Sequence, residues 1–579
     1  MNALPTNNRD SLHAEIDRLA EAIALRRRGG IPEDDFRTLR LQNGIYGMRG
    51  LTGVQMLRVR VPQGRLDSQQ LAILAGVTRN FGKGAAHLTT RQDVQIYHVR
   101  LPQVPQALRF LAQVGLSARE TSGNVVRNVT TCPLAGVCPH EPFDVAPYAA
   151  QLGDYFLRNP LTQRLPRKFK IALSGCTRDC AYAAVHDLGG LATIRQNGST
   201  EPGFRLLVGG GLGSAPRPAQ ALEPFTAAAD LLPTAAAIVH IFNRLGQRQN
   251  RNKARLKFLL ADIGIEAFQQ HVIEERRLVK ATWPGALPAV SPAEDRPVAE
   301  LDDGYAAGGP VFDRWRQLNV LEQKQRGFFA VCIRLPGGDL TPDQLVALSQ
   351  LVTELPEQQI VITPNQNVVL RFIPATRLPE LFARLDEAGL AATDAGHLAD
   401  IVSCPGAATC VQAVTGSRDL AEVLARRLAE LDEGASAGVA DLRIQISGCP
   451  NACGQHWLGD VGLCGMARKV DGQLVPHYQL YVGGGAADGQ ATFGRSVLRL
   501  PASRVPEALL RVLRAYRARR SGEETVDEWL RREPADNGFW RETLADLAVL
   551  PTAEQDPSAY LDWGSAETFH VEIGESECA

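Results

Sequence analysis

Over residues 54–61 apolar and polar side chains alternate, with Leu57, Val59 and Val61 interleaved by Arg58 and Arg60. That period of two predicts a strand with one buried face. A Gly/Pro turn follows, and from about 68 the apolar residues change to helical spacing. The stretch 328–352 repeats the same order, with Thr341–Pro342 supplying a helix start. HLTTRQDVQIYHV (87–99) and VITPNQNVVLRFI (361–373) then read as strands, followed by helices at about 104–114 and 378–389. This β-α-β-β-α order predicts two ferredoxin-like α+β half-domains. Further on, LLVGGG (206–211) and LYVGGG (480–485) each end an apolar strand in a glycine triplet, either a tight turn or a place where backbone closely approaches a ligand.

The expected divisions are an N-terminal helical arm (1–44), a first ferredoxin-like unit (45–120) and an α/β domain (121–280). A linker (281–322) containing the Pro-rich WPGALPAVSPAEDRP separates these from a second ferredoxin-like unit (323–395) and a second α/β domain (396–521). An acidic tail (522–579) is expected to pack loosely. Residues 217–278 read as extra helix in the first half. Their basic run RLGQRQNRNKARLKF (244–258) is expected to be a solvated face.

The cysteines sharpen the duplication. Cys132-x5-Cys138 and Cys176-x3-Cys180 recur as Cys404-x5-Cys410 and Cys449-x3-Cys453, displaced by 272 or 273 residues. In ISGCPNACG (446–454), Pro450 suits the first turn of a helix. That would put Cys449 and Cys453 on one face and let the helix N-terminus lower their thiol pKa. Structural zinc sites favour CxxC knuckles. The x5 and x3 spacings, about 40 residues apart, suit an iron–sulfur cluster better.

Composition narrows the class. The 579 residues are 45% hydrophobic and 22% charged, with a formal net charge of −1. These values describe an ordinary globular chain without a global basic field for nucleic acid. No apolar run reaches membrane-spanning length and no secretory pattern opens the chain, so the expected location is the cytoplasm. Reduced thiols there act as metal ligands or core residues rather than disulfides.

CPGAATC (404–410) followed by SGCPNACG (447–454) closely resembles the cluster signature of the sirohaem-dependent nitrite and sulfite reductases. The resemblance spans about 45–520. It implies an internally duplicated α+β fold in which two ferredoxin-like half-domains and two sirohaem/Fe–S-type α/β domains are related by a pseudo-two-fold. It also implies that Cys404, Cys410, Cys449 and Cys453 bind a [4Fe–4S] cluster, and that Cys453 bridges to sirohaem. Arg58, Arg127, Lys168 and Lys170 match the family's substrate-binding positions. Arg91 and Gln95 match macrocycle contacts, and Asn365 and Gln366 the second-half cofactor motif. Cationic donors suit both a small oxyanion and a macrocycle with eight carboxylates.

The second-half counterparts of Arg58, Arg91, Arg127, Lys168 and Lys170 are Cys332, Asn365, Ala399, Asp441 and Arg443. One cation in five survives, so a single catalytic sirohaem between the halves is expected. The implied activity is six-electron reduction of sulfite to sulfide, with nitrite to ammonia as the alternative. A non-catalytic sirohaem/Fe–S carrier and a corrin-pathway enzyme of this fold are the other readings. Lysine at both 168 and 170 favours sulfite. No Rossmann fingerprint or flavin domain is evident, so ferredoxin or a flavoprotein is the expected electron donor. The first-half quartet leaves three readings open: a second [4Fe–4S] cluster, unligated thiols, or zinc. Cys578 near the end is either an inert thiol or a redox contact.

Overall fold

The computed structural model describes residues 9–196, 198, 200–283, 309–431, 439–533, 538–571 and 574. The expected ferredoxin-like units are present, but neither is complete by itself. The first sheet runs Ile45–Met48, Leu51–Val59, Val94–Arg100 and Ala86–Leu88, and ends on Asp339–Leu340 from the second half. The second runs Val320–Glu322, Phe328–Ile333, Val368–Pro374 and Gln359–Ile362, and ends on Arg65–Asp67 from the first half. Each half lends the other an edge strand, which leaves fewer backbone groups unpaired at that edge.

Helices Ser68–Phe81 and Pro342–Thr353 follow the lent strands, pack together and share one core with both sheets. Each begins with a capping box, Asp67 with Gln70 and Thr341 with Gln344. The reciprocal cap satisfies two N-terminal N–H groups that the helix leaves unpaired.

Two further five-stranded sheets carry the cysteines. Thr130–Thr131, Ile171–Ser174 and Leu188–Gln196 run parallel, then Thr200–Val208 and Gln220–Ala227 run antiparallel. Val402–Ser403, Ile444–Ser447, Val461–Val470, Gln473–Val482 and Arg495–Pro501 repeat that plan. Two glutamines join these sheets to the ferredoxin-like pair. Gln92 donates to Thr131 O (3.1 Å) and Ile362 O (2.8 Å), while its Oε1 accepts from Thr131 N. Gln366 does the same with Leu88 O (3.0 Å) and Ser403 N (3.1 Å). Each therefore ties both halves together.

The glycine triplets serve backbone packing. A Cβ on Gly210 would lie 2.7 Å from His186 O, and one on Gly484 would lie 2.4 Å from Trp457 O.

Three expectations about segments are corrected. Residues 217–278 hold a strand, Gln220–Ala227, before helices Leu231–Leu245, Leu256–Ile263 and Ile265–Ala281. Within the expected linker, Pro310–Asn319 is helix and Val320–Glu322 is a sheet strand, while 284–308 fall outside the described residues. The described part of the tail is folded rather than loose. Trp529, Trp540 and Leu544 are buried in the second-half core, and Tyr560 is buried against Val475. Its aromatic side chains bury enough area to outweigh the acidic composition. Cys578 lies outside the described residues. Among those residues no helix is long and apolar enough to cross a membrane.

Candidate active site

A cavity of about 300 Å³ opens between the first-half cation-bearing elements and the second-half cysteine loops. Arg58, Arg91, Gln95, Arg127, Lys168 and Lys170 line one side. Gln366, Cys404, Cys410, Cys449 and Cys453 line the other. Eleven of the twelve expected residues therefore share one cavity. Asn365 is the exception. Its Oδ1 accepts from the Tyr182 hydroxyl at 2.9 Å, on the side of the first-half cysteines. Gln366, its neighbour, has φ 66 and turns the opposite way.

The strand-to-helix reading of ISGCPNACG is also corrected. Ile444–Ser447 is a strand, but successive turns follow instead of a helix, with Ala452 at φ 56 and Gln455 at φ 60. Cys449 and Cys453 are brought together by left-handed turns. Without a helix N-terminus, burial dominates and pushes the Cys449 thiol up.

Several cations are held by the fold before any ligand arrives. Arg58 donates Nε to Asp93 Oδ2 (2.9 Å) and forms an ion pair with it. Arg127 donates to Thr121 O (2.6 Å) and Gly123 O (3.1 and 2.9 Å). Arg91 donates to His186 Nε2 (2.5 Å) and to Asn128 O. Burial lowers Arg91 to about 9. His186 accepts from Arg91 at Nε2 and donates its Nδ1–H to Tyr182 O (2.7 Å), which fits a neutral ring. Burial, Arg91 and Lys170 together hold its pKa well below the ordinary value.

Lys170 is lowered by burial first, then by Arg91, Lys168 and Arg255, against a raising influence from Cys453. Cys453 acts in the same direction on Arg58. The exposed last cysteine of the quartet thus lies within electrostatic reach of the cations across the cavity. Arg60 shares the strand direction of Arg58 but does not line the cavity. It is buried under the influence of Glu120 and Asp154.

Sequence reasoning missed part of the wall. Arg251, Asn252, Arg255, Lys257 and Phe258 line the cavity, yet all belong to the run expected to be a solvated face. Arg255 donates to both oxygens of buried Asp187 at 3.0 and 2.7 Å, and Asp187 also accepts from Lys170 N at 2.9 Å. Lys257 donates to the carbonyls of Gly211, Leu212 and Ala215, and burial lowers it to about 8. The clue available beforehand was the apolar spacing of Leu256 and Phe258 at the end of the run with Leu259 just past it, which argues for a face turned inward. Arg167, His186 and Asn451 also line the cavity and had no distinguishing local pattern.

The residues fit an iron–sulfur cluster joined to an anionic macrocycle. Four cysteine side chains face one side, and the opposite side carries more cations than the two carboxylates paired with them, Asp93 and Asp187, can neutralise. Arg91 Nε is buried without a partner among the described residues, a donor that a carboxylate would satisfy.

Residues 122–280 and 395–532 match the family described as nitrite and sulphite reductase 4Fe-4S domain. Residues 46–114 and 321–388 match the nitrite/sulfite reductase ferredoxin-like half domain. The chain is 33% identical over 442 residues to a chloroplastic ferredoxin–nitrite reductase of Zea mays, covering 74% of this chain and 73% of that protein. It is 28% identical to an assimilatory ferredoxin-dependent nitrite reductase of Haloferax mediterranei, covering 87% of each. It is also 28% identical to sulfite reductase [ferredoxin] 1 of Mycolicibacterium paratuberculosis, covering 82% of each. Among solved structures, Mycobacterium tuberculosis NirA aligns with a TM-score of 0.74 and 25% identity over 90% of this chain and 97% of that one.

Proposed function

The chain belongs to the nitrite and sulphite reductase family, and on that premise we propose that its cavity reduces sulfite to sulfide with six electrons. In this reading Cys404, Cys410, Cys449 and Cys453 hold a [4Fe–4S] cluster. Arg91, Gln95 and Gln366 would hold sirohaem, and Cys453 would serve both groups. When bound, these groups would supply the redox-active iron and a store of single electrons. Asn365 takes no part at this cavity.

The chain's own residues do the rest. Arg58, Arg127, Lys168 and Lys170 neutralise the oxyanion and polarise its oxygens before they leave as water. Arg58 and Arg127 are fixed by Asp93 and by the 121–123 carbonyls, so little reorganisation accompanies binding. Lys170 is the proton donor. Its lowered pKa makes the ammonium a stronger acid than an ordinary lysine, and the loss of a proton there is eased by three neighbouring cations. His186 keeps Arg91 directed and stays neutral.

The observation that carries the sulfite reading is two lysines, 168 and 170, on one cavity side. A second full charge favours the more highly charged anion. The relatives from Zea mays and Haloferax mediterranei are named nitrite reductases, which supports nitrite as the second reading. Electrons come from an external donor, and the names of these relatives favour ferredoxin. Steady-state kcat/KM for the two anions with one reduced donor tests the assignment. Sulfite should be preferred, and a tenfold or greater preference for nitrite would replace it by the second reading.

A further inference from the structure

The first-half quartet does not face the active-site cavity, yet its backbone repeats the active-site cradle. Cys132 N donates to Leu173 O at 3.2 Å, as Cys404 N does to Ile446 O at 3.2 Å. Cys138 N donates to Leu134 O (2.9 Å), and Cys410 N to Gly406 O (3.0 Å). Asp179 N to Cys176 O (3.2 Å) matches Ala452 N to Cys449 O (3.4 Å), with left-handed φ of 52 and 56 at the two donors.

The loops are also docked alike, each on the opposite half. Val137 O accepts from Lys324 N (2.9 Å), and Thr409 O from Arg49 N (3.1 Å). Exposure follows the same plan, since the last cysteine of each quartet reaches the surface while the first and third are buried. Cys132 meets Cys180, and Cys138 meets Cys176, in thiol–thiol contacts. Four cysteines from two loops 40 residues apart in sequence thus converge in one place.

We propose that Cys132, Cys138, Cys176 and Cys180 bind a second [4Fe–4S] cluster, in a cradle that adjoins no macrocycle site. The inference does not depend on which anion is reduced. A tetrahedral zinc ion at about 2.3 Å from each sulfur would need all four sulfurs about 3.8 Å apart. Among the described residues no three His, Cys, Asp or Glu side chains are gathered to hold one metal ion. The same is true of the active-site quartet.

A second macrocycle is excluded by what stands beside Cys180. Tyr182 occupies the position that Gln455 has beside Cys453, with φ 56 against 60, and Asn365 the position of Arg91. Gln455 and Arg91 line the active-site cavity. Tyr182 and Asn365 instead bond to each other at 2.9 Å, and the Tyr182 ring packs on Val185 and Leu458. Cation loss at Cys332, Ala399 and Asp441 completes the contrast.

The test is a metal count on anaerobically purified holoenzyme, with Mössbauer spectra of the same sample. One sirohaem with two clusters gives about nine iron and eight acid-labile sulfide per chain. The double variant Cys132→Ser/Cys138→Ser should fall to about five iron and four sulfide while keeping the sirohaem absorption. Wild-type protein with about five iron and four sulfide overturns the proposal, and so does one zinc beside five iron. Should the double variant not fold, the wild-type spectrum still decides. Two cluster environments of equal area support the proposal, and one overturns it. Neither readout involves turnover, so failure here would leave the reading of the active site standing.

Discussion

Lys170 offers the most direct test of how the cation wall works. Its ammonium is buried beside Arg91, Lys168 and Arg255, and each opposes its protonation. At an effective dielectric of about 20, a like charge at roughly 10 Å costs about 1.7 kcal/mol. An anion of charge −1 to −2 placed among them offsets one or two such costs, or about 2–3 kcal/mol. Removing one charged donor from such a site typically costs about 3 kcal/mol.

Lys170→Met should therefore lower kcat/KM by about 100-fold. The pH dependence has a definite sign. Because the folded pKa is lowered, the free enzyme loses the Lys170 proton as pH rises through a value below the ordinary lysine range, and anion binding weakens there. The same shift makes folding less favourable as pH falls from the ordinary lysine value through that of Lys170, since the fold resists charging the group. A kcat/KM profile should show an alkaline fall in the wild type. Lys170→Arg should move that fall to higher pH, because guanidinium does not titrate in the range. A Lys170→Met enzyme with wild-type kcat/KM, or an Arg variant whose alkaline limb does not move, would refute the reasoning.

Four other outcomes follow from packing. Arg255→Leu strands the fully buried Asp187 carboxylate and should cost about 3–5 kcal/mol in urea unfolding, with much of the loss recovered by adding Asp187→Asn. Gly484→Ala sets a methyl 2.4 Å from Trp457 O and 2.6 Å from Gly459 O, and should abolish soluble expression or cost more than about 4 kcal/mol. Gly76→Ala, in helix Ser68–Phe81 with nothing within 4 Å of the added carbon, should instead raise the melting temperature through about 0.5–1 kcal/mol of stabilisation. Trp529→Ala removes a fully buried indole from the C-terminal segment and should cost about 3–5 kcal/mol, whereas a loose tail would leave the urea midpoint unchanged.

Much of this molecule was readable from local pattern. The duplicated cysteine spacings, the strand and helix periods and the capping residues Asp67 and Thr341 are all short-range signals. The same spacing could not show that Cys449 and Cys453 meet across turns rather than on a helix. Pro450 is compatible with either, and left-handed φ at Ala452 and Gln455 is set by neighbouring backbone. Residues 244–253 of the basic run are mostly exposed as expected, but its end, 254–258, turns inward for a related reason. Charge in sequence indicates solvent only when no concave counter-surface waits for it. Arg255 and Lys257 find theirs in Asp187 and in the carbonyls after the first glycine triplet, 40 and more residues away.

By itself the sequence determined that the chain is a tandem repeat with two cysteine quartets and one retained set of cations. Residue identity and spacing carry that information directly. Only the tertiary structure decided that each half completes the other's sheet. It also decided that the cations of one half face the cysteines of the other, and that Asn365 closes on Tyr182 while Gln366 reaches the cavity. Those outcomes depend on which surfaces exclude water together, and pairings across 270 residues of chain leave no mark on the pattern of either partner.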